Sequence, residues 1–457
     1  MQPMTVKEIA SAVEGVWWNP REDLPPVTSV CTDSRSIKPG SLFIPWKGEK
    51  FDGHQFIDAA LDGGAAGVLC AKLPANLRSD KFYIKVADTR LALRALATVY
   101  RSRFDIPFIQ ITGSVGKTTT KDMIASVLSA RYRVLKTPEN FNNDIGTPLT
   151  LLLLTPETEV AVIETGMNHF GEIRYLGEMV KPDIAVISNI GDAHIEFLGS
   201  REGILKAKSE IFENLRPGGT AVLNGDDALL STLELPFLTI RCGQSEHCQA
   251  RVTEIGDHGV EGVTCLVRTE KDTYELNIPT PGTHMVYSAS MAVAVGEKLG
   301  LTHDEIVRGV AAYEPTGSRM RVVKLPGDRT VLDDCYNANP QSVTAALEIL
   351  AKTECDRKIA VLGDMGELGD LTAQAHYNMG ALAAMLGIDM VFAVCTKASK
   401  IADGAADSGG NALHFATKEE ALPEIRQQFS ERTAMLIKAS HAMHFGWLVE
   451  QLSSTND

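Results

Sequence analysis

Thr112-Gly113-Ser114-Val115-Gly116-Lys117-Thr118-Thr119-Thr120 sets two glycines, a lysine and a row of hydroxyls at the spacing of a phosphate cradle. Glycines let backbone N–H groups turn toward phosphate oxygens, and a helix opening behind them adds positive potential. Lys117 then reaches the outer phosphates, and the hydroxyl of Thr118 is the usual partner of Mg²⁺. The chemistry is binding of, and transfer from, a nucleoside triphosphate. The full pattern G-x-x-x-x-G-K-[ST] has glycine where Ile111 stands, so this loop is shorter at its front. No Asn-Lys dipeptide occurs in the chain, which removes the base-reading motif of a switch GTPase. A kinase acting on a hydroxyl and a ligase acting on a carboxylate both stay open on these residues.

Other polar groups gather where strands should end. Glu164 closes the apolar run 160–164, and His194 follows the run 184–189, the positions where open α/β sheets present ligand groups; both are metal-shell candidates. The segment 140–146 holds Asn142 and Asn143, amides that either orient substrate or phosphate or make an ordinary turn. Lys208 lies on an expected helix, where a charged lysine is ordinarily solvated. Asp333-Asp334-Cys335-Tyr336-Asn337-Ala338-Asn339-Pro340 packs two carboxylates, a phenol and two amides into one loop, more than a turn needs. The eight cysteines contain no C-x-x-C pair, which argues against a disulfide framework or a zinc knuckle. Cys242, His247 and Cys248 lack the usual ligand spacing, so buried thiols are expected.

These groups need a scaffold. The run 108–112 after Pro107 reads as a buried strand, and Met123, Ile124, Val127 and Leu128 share one face of a helix from Lys117 to about residue 130. Runs 160–164, 184–189 and 221–224 read as further buried strands, giving a parallel sheet covered by helices. Residues 1–84, with runs at 41–44 and 65–69, form a separate small α/β unit, joined by a helix over 89–103. Tyr313 to Ser318 is a linker, followed by strands at 330–334, 359–363, 390–395 and 435–438; the polar stretch 403–411 reads as a solvated loop. The expected fold is α/β in three domains: 1–84, a central phosphate-loop domain over 85–314, and a Rossmann-like domain over 315–457. A length of 457 residues suits three domains. The 44 basic against 58 acidic residues give a net charge of −14, which repels nucleic acid and anionic lipid. No apolar run reaches about 18 residues and no secretory leader is visible, so a cytoplasmic protein without a membrane span is expected.

Taken together, these motifs resemble the Mur ligases of peptidoglycan synthesis. The resemblance runs through Thr32-Asp33-Ser34-Arg35, Asp52-Gly53-His54, residues 112–120, 140–148 and 164–173, Ala193-His194, residues 207–211, 333–340 and 362–369. Tyr336 to Pro340 and Gly363 to Leu368 resemble the member that adds a dipeptide, and the Asp-Asn-Pro-Arg segment of the diaminopimelate-adding sister is missing. The resemblance implies an ATP-dependent amide ligase that joins D-Ala-D-Ala to UDP-N-acetylmuramoyl-tripeptide through an acyl phosphate. Kept open beside it are a related ligase adding a single amino acid or glutamate, and a nucleotide-binding scaffold without turnover.

By the same resemblance the first domain holds the UDP-sugar peptide, the central domain ATP and Mg²⁺, and the third the dipeptide; a monomer is expected. Gly113, Ser114, Val115, Gly116, Lys117, Thr118, Thr119, Asn143 and Asp334 would contact the nucleotide. Thr118, Glu164, His194 and Lys208, the last carbamoylated by CO₂, would serve the metal, and Arg321 the γ-phosphate. Ser34, Arg35, Asn142, Tyr336, Asn337, Asn339 and Lys438 would contact substrates. Two segments depart from the family: Met285 and Ser288 stand where asparagines are usual, and Lys438-Ala439-Ser440-His441 replaces Lys-Gly-Ser-Arg. Histidine lacks the permanent charge and planar fork of arginine.

Overall fold

The computed structural model describes residues 1–18, 20, 23–48, 51–192 and 195–454. Met1–Ile111, Tyr132–Ala185 and Ser209–Thr220 form one compact unit; Thr112–Arg131, Val186–Lys208 and the chain from Ala221 onward form a second.

The first unit carries a five-stranded sheet in the order Val16–Trp18, Phe82–Lys85, Gly67–Cys70, Leu42–Phe43, Val30–Cys31. Only its first pair is antiparallel. Strand Phe108–Thr112 pairs in parallel with Val160–Glu164, which pairs in turn with Val134–Lys136. Every residue of the first two is buried, as strands covered on both faces require. Register puts Glu164 opposite Ile111, just before the glycine loop. Helix Thr89–Arg101 opens on Asp88, whose side chain accepts from the N–H groups of Arg90 and Leu91. It packs Leu93, Leu96 and Tyr100 into one core with Phe108, Ala161 and Ile163. Its last residue, Arg101, is buried, with its guanidinium 3.7 Å over the Phe108 ring and bonds to the carbonyls of Val180 (2.9 Å) and Phe104 (3.0 Å).

In the second unit, helix Lys117–Ser129 takes its expected place. Strands Leu238–Gly243, Ala250–Asp257, Val263–Arg268 and Thr273–Ile278 lie beyond what the motif reading anticipated. The signal was present: exposed and buried residues alternate through Thr273–Ile278, the period-2 pattern of a sheet with one wet face. A six-stranded sheet follows in the order Arg321–Leu325, Arg329–Asp333, Thr433–Lys438, Arg357–Leu362, Met390–Val394, Ala412–Phe415. Its first pair is antiparallel and the rest parallel, with apolar cores on both faces.

One expectation is corrected here. The stretch 403–411 is not a solvated loop at its start, because helix Ser399–Asp407 runs through it and buries Gly404 and Ala405. Glycines explain how. A methyl at Gly404 would sit 2.0 Å from the Tyr377 carbonyl oxygen, and one at Gly380 1.8 Å from that of Ile401. The backbones of Ser399–Asp407 and Thr372–Met385 therefore touch directly, and a helix with so few apolar side chains is still held against its neighbour.

All eight cysteines are unpaired, and no cluster of three His, Cys, Asp or Glu suited to a metal occurs among the described residues. No helix among the described residues is long and apolar enough to cross a membrane.

Candidate active site

The glycine loop is braced from behind. Strand Ile184–Ile187 stops short of its expected end, and Ser188 and Asn189 turn into the loop instead. The Asn189 side-chain oxygen accepts from the N–H groups of Ser114 (3.2 Å) and Val115 (2.9 Å), while the Ser188 hydroxyl donates to the Val115 carbonyl (2.7 Å). A methyl at Gly113 would fall 1.9 Å from the Ser188 Oγ, so this close approach requires glycine. Gly116 caps the helix at φ +77°, a left-handed conformation suited to glycine. Nothing in the sequence marks Asn189 as a loop brace; it reads as one more residue of a strand.

Two ammonium groups meet on the first turn of this loop. Lys117 Nζ donates to the Gly113 carbonyl at 2.8 Å, and Lys208 Nζ donates to the same oxygen at 3.0 Å. The expectation of a solvated Lys208 is corrected: it is 1% exposed at the end of helix Arg201–Ser209, whose inner face holds Ile204, Ala207 and Lys208. Burial first, and the charge of Lys117 second, push its pKa well below the usual lysine value. A buried amine made easier to deprotonate is a nucleophile. Of the two residues that stand where the family has asparagines, Met285 is buried and the Ser288 hydroxyl lies 3.1 Å from that of Thr120, on the phosphate-loop helix.

In the first unit, Glu164 is 1% exposed and its carboxylate accepts from the Asn142 amide at 2.8 Å. Asn143 turns inward, its side-chain oxygen accepting from Ile145 and Gly146 N–H (3.1 and 2.8 Å). Ser34 opens a short turn capped by Asp33, and exposed Arg35 forks onto that Asp33 at 2.7–2.9 Å. His194 and Ala193 lie outside the described residues.

Around Asp333 and Asp334, four consecutive residues are clamped to three others. Tyr336 N–H donates to the Ser318 carbonyl (3.0 Å), the Arg319 guanidinium lies 3.6 Å over the Tyr336 ring, Met320 N–H donates to Asp334 (3.1 Å), and Arg321 forks onto Asp333 (2.9 Å). Lys438 is buried and bonded to Asp334 (2.5 Å) and the Asn337 carbonyl (2.8 Å), which makes it a brace of this loop. Asn339 caps helix Pro340–Lys352, its side-chain oxygen accepting from Ser342. Tyr336 also lies 5.3 Å from the ring of His441. Arg319, which the motif reading passed over, forms no ion pair among the described residues; the charge of Arg321 is balanced by Asp333.

A buried strand, a braced glycine loop and a lysine-headed helix, with a second α/β sheet presenting an acidic and cationic loop, define a phosphate-loop nucleotide-binding protein. Three family descriptions match: Mur ligase family, catalytic domain, over residues 26–101; Mur ligase middle domain over 111–296; and Mur ligase, glutamate ligase domain, over 318–441. The chain belongs to the Mur ligase family. It is 38% identical to the UDP-N-acetylmuramoyl-tripeptide–D-alanyl-D-alanine ligase of Bacillus subtilis (strain 168), covering 98% of both chains, and 35% identical to that of Escherichia coli (strain K12), covering 91% of both. A crystal structure of MurF from Acinetobacter baumannii superposes with a TM-score of 0.90 at 33% identity over 100% of both chains. MurF ligase from Thermotoga maritima in complex with ADP gives 0.80 at 26% identity, over 93% of this chain and 97% of that one.

Proposed function

We propose that the protein is an ATP-dependent ligase that joins D-Ala-D-Ala to UDP-N-acetylmuramoyl-tripeptide in peptidoglycan precursor synthesis, working in the cytoplasm as a monomer. The observation that carries this reading is the braced loop 113–119 with Lys117 and buried Lys208 on one carbonyl, in a chain that matches dipeptide-adding ligases end to end. The division of labour follows the family: residues 1–84 take the UDP-sugar peptide through Ser34 and Arg35, residues 85–314 take ATP, and residues 315–457 take the dipeptide near Tyr336 and Asn337.

A carboxylate is a poor electrophile. The terminal carboxylate of the tripeptide first takes the γ-phosphoryl group of ATP; the free amine of the dipeptide then attacks the acyl carbon, phosphate leaves, and the amine proton goes to solvent. Lys117 holds the phosphoryl oxygens, and Arg319 and Arg321 add positive charge as it transfers. Because Asp333 already balances Arg321, Arg319 has more charge to offer. Arg319→Ala is expected to lower kcat by about 10³-fold, whereas Arg321→Ala is expected mainly to lower the melting temperature. Steady-state kinetics beside thermal melts would reverse this assignment if Arg321→Ala lost more turnover.

By family resemblance, Thr118, Glu164, His194 and Lys208 would hold Mg²⁺, which would neutralise phosphate charge. Hydroxyl and carboxylate oxygens are the hard donors this ion takes. An ammonium is not, and Lys208 fits only when its neutral amine adds CO₂, releases a proton and becomes a carbamate. Lys208→Ala should then lose turnover by at least about 100-fold, with partial rescue by acetate or formate; a fully active variant would remove the carbamate from the mechanism.

The whole reading is tested by phosphate release with Mg²⁺, ATP, the UDP-sugar tripeptide and D-Ala-D-Ala. Release that needs both acceptor and dipeptide supports it. Dependence on a different amine points to a sister ligase, and ATP binding without acceptor-dependent release points to a scaffold.

A further inference from the structure

His376 is fully buried on helix Thr372–Met385, and no step above uses it. Its Nδ1 lies 2.7 Å from the Thr372 carbonyl, which can only accept, so Nδ1 carries the proton. Nε2 is then the acceptor for the Met365 N–H, at 2.9 Å. Met365 is the middle of Gly363-Asp364-Met365-Gly366-Glu367, the turn that follows strand Arg357–Leu362 at the carboxyl edge of the parallel strands, where α/β sheets take their ligands.

The rest of the turn is held just as tightly. Gly363 N–H donates to the Lys438 carbonyl (2.9 Å), Ser440 N–H donates to the Asp364 carbonyl (3.1 Å), Gly366 N–H donates to the Ser440 hydroxyl (3.1 Å), and the Asp364 carboxylate accepts from Ala398 N–H (2.8 Å). A methyl at Gly363 would meet Ala439 at 2.6 Å. Braced this way, the turn presents its outer residues, Gly366 and Glu367, to solvent. An acidic, rigid edge suits a ligand that arrives with an ammonium group, as a free dipeptide does.

We infer that His376 is a positioning residue for the dipeptide: its neutral imidazole pins the Met365 N–H and so fixes the turn 363–367 against which the incoming amine is set. This rests on the assignment of the dipeptide to residues 315–457. Burial, the largest influence, lowers the His376 pKa and keeps the ring neutral, against the opposing pull of its bond to Thr372 and of Asp364.

The test compares His376→Leu with His376→Gln, whose side-chain oxygen can still accept from Met365. KM for ATP, for the UDP-sugar tripeptide and for D-Ala-D-Ala is measured beside kcat and thermal melts. His376→Leu is expected to raise KM for D-Ala-D-Ala at least tenfold, with the other two KM values within about twofold, and His376→Gln to stay near wild type. An unchanged dipeptide KM, or a parallel loss in all parameters with a fallen melting temperature, overturns the inference. A rise confined to KM for the UDP-sugar tripeptide overturns instead the placement of the dipeptide in this domain. Should His376→Leu not fold, His376→Asn, whose shorter side chain cannot reach the Met365 N–H, is measured in its place, and an unchanged dipeptide KM there overturns it equally.

Discussion

Lys117→Ala is expected to abolish acceptor-dependent phosphate release while leaving the protein folded. The ammonium is the loop's own cation, seated 2.8 Å from the Gly113 carbonyl at the head of helix Lys117–Ser129. A preorganised donor aimed at developing charge is worth about 10²–10³ in rate, and a full positive charge on a transferring phosphoryl group stands at or above the top of that range. The loop itself does not depend on the lysine, since Asn189 and Ser188 hold Ser114 and Val115. A loss of about 10³-fold or more in kcat with an unchanged melt is the expected pair of results. Near-normal turnover in a folded variant would mean that the triphosphate is handled elsewhere.

Gly380→Ala is expected to be the most damaging single methyl in the C-terminal sheet domain. In an isolated helix the change would gain about 1 kcal/mol. Here the new carbon would stand 1.8 Å from the Ile401 carbonyl oxygen and 2.7 Å from its carbon, backbone atoms of a neighbouring helix that cannot rotate away. The helices must part, and overpacking of that kind costs up to about 3 kcal/mol. Steric cost wins, leaving a net loss of about 2 kcal/mol and a melting transition lower by roughly 5–10 °C. A melt at or above the wild-type temperature would show that the two helices are not in backbone contact.

How much of this was legible beforehand differs by kind of signal. The phosphate loop could be read because its chemistry is local: strand, glycines, lysine and helix lie within two dozen residues, and each appears where expected. Four strands of the six-stranded sheet were legible as apolar runs because burial on both faces leaves no other pattern, whereas the half-exposed edge strands Arg321–Leu325 and Ala412–Phe415 were not. Lys208 was not. Its helix has polar and apolar residues on both sides, and only the position of Gly113, far away in the chain, makes its burial tolerable. The helix cap at Asn339 was not legible either, because an amide at a cap and an amide at a ligand are the same residue in sequence. Gly404 and Gly380 were opaque for the opposite reason, since contact between two backbones leaves no side chain to read.

The clamp between residues 318–321 and 333–336 sets where the chain can bend. Upstream, Tyr313 is buried; downstream, Ser318 is already fastened to Tyr336. Only Glu314 to Gly317 remain to flex, with Gly317 at φ +68°. In the proposed ligase, residues 318 onward would carry the Arg319 guanidinium with them on the Tyr336 ring. Its charge would then reach the nucleotide only as that segment does, and the reaction would be timed by a joint rather than by a side chain.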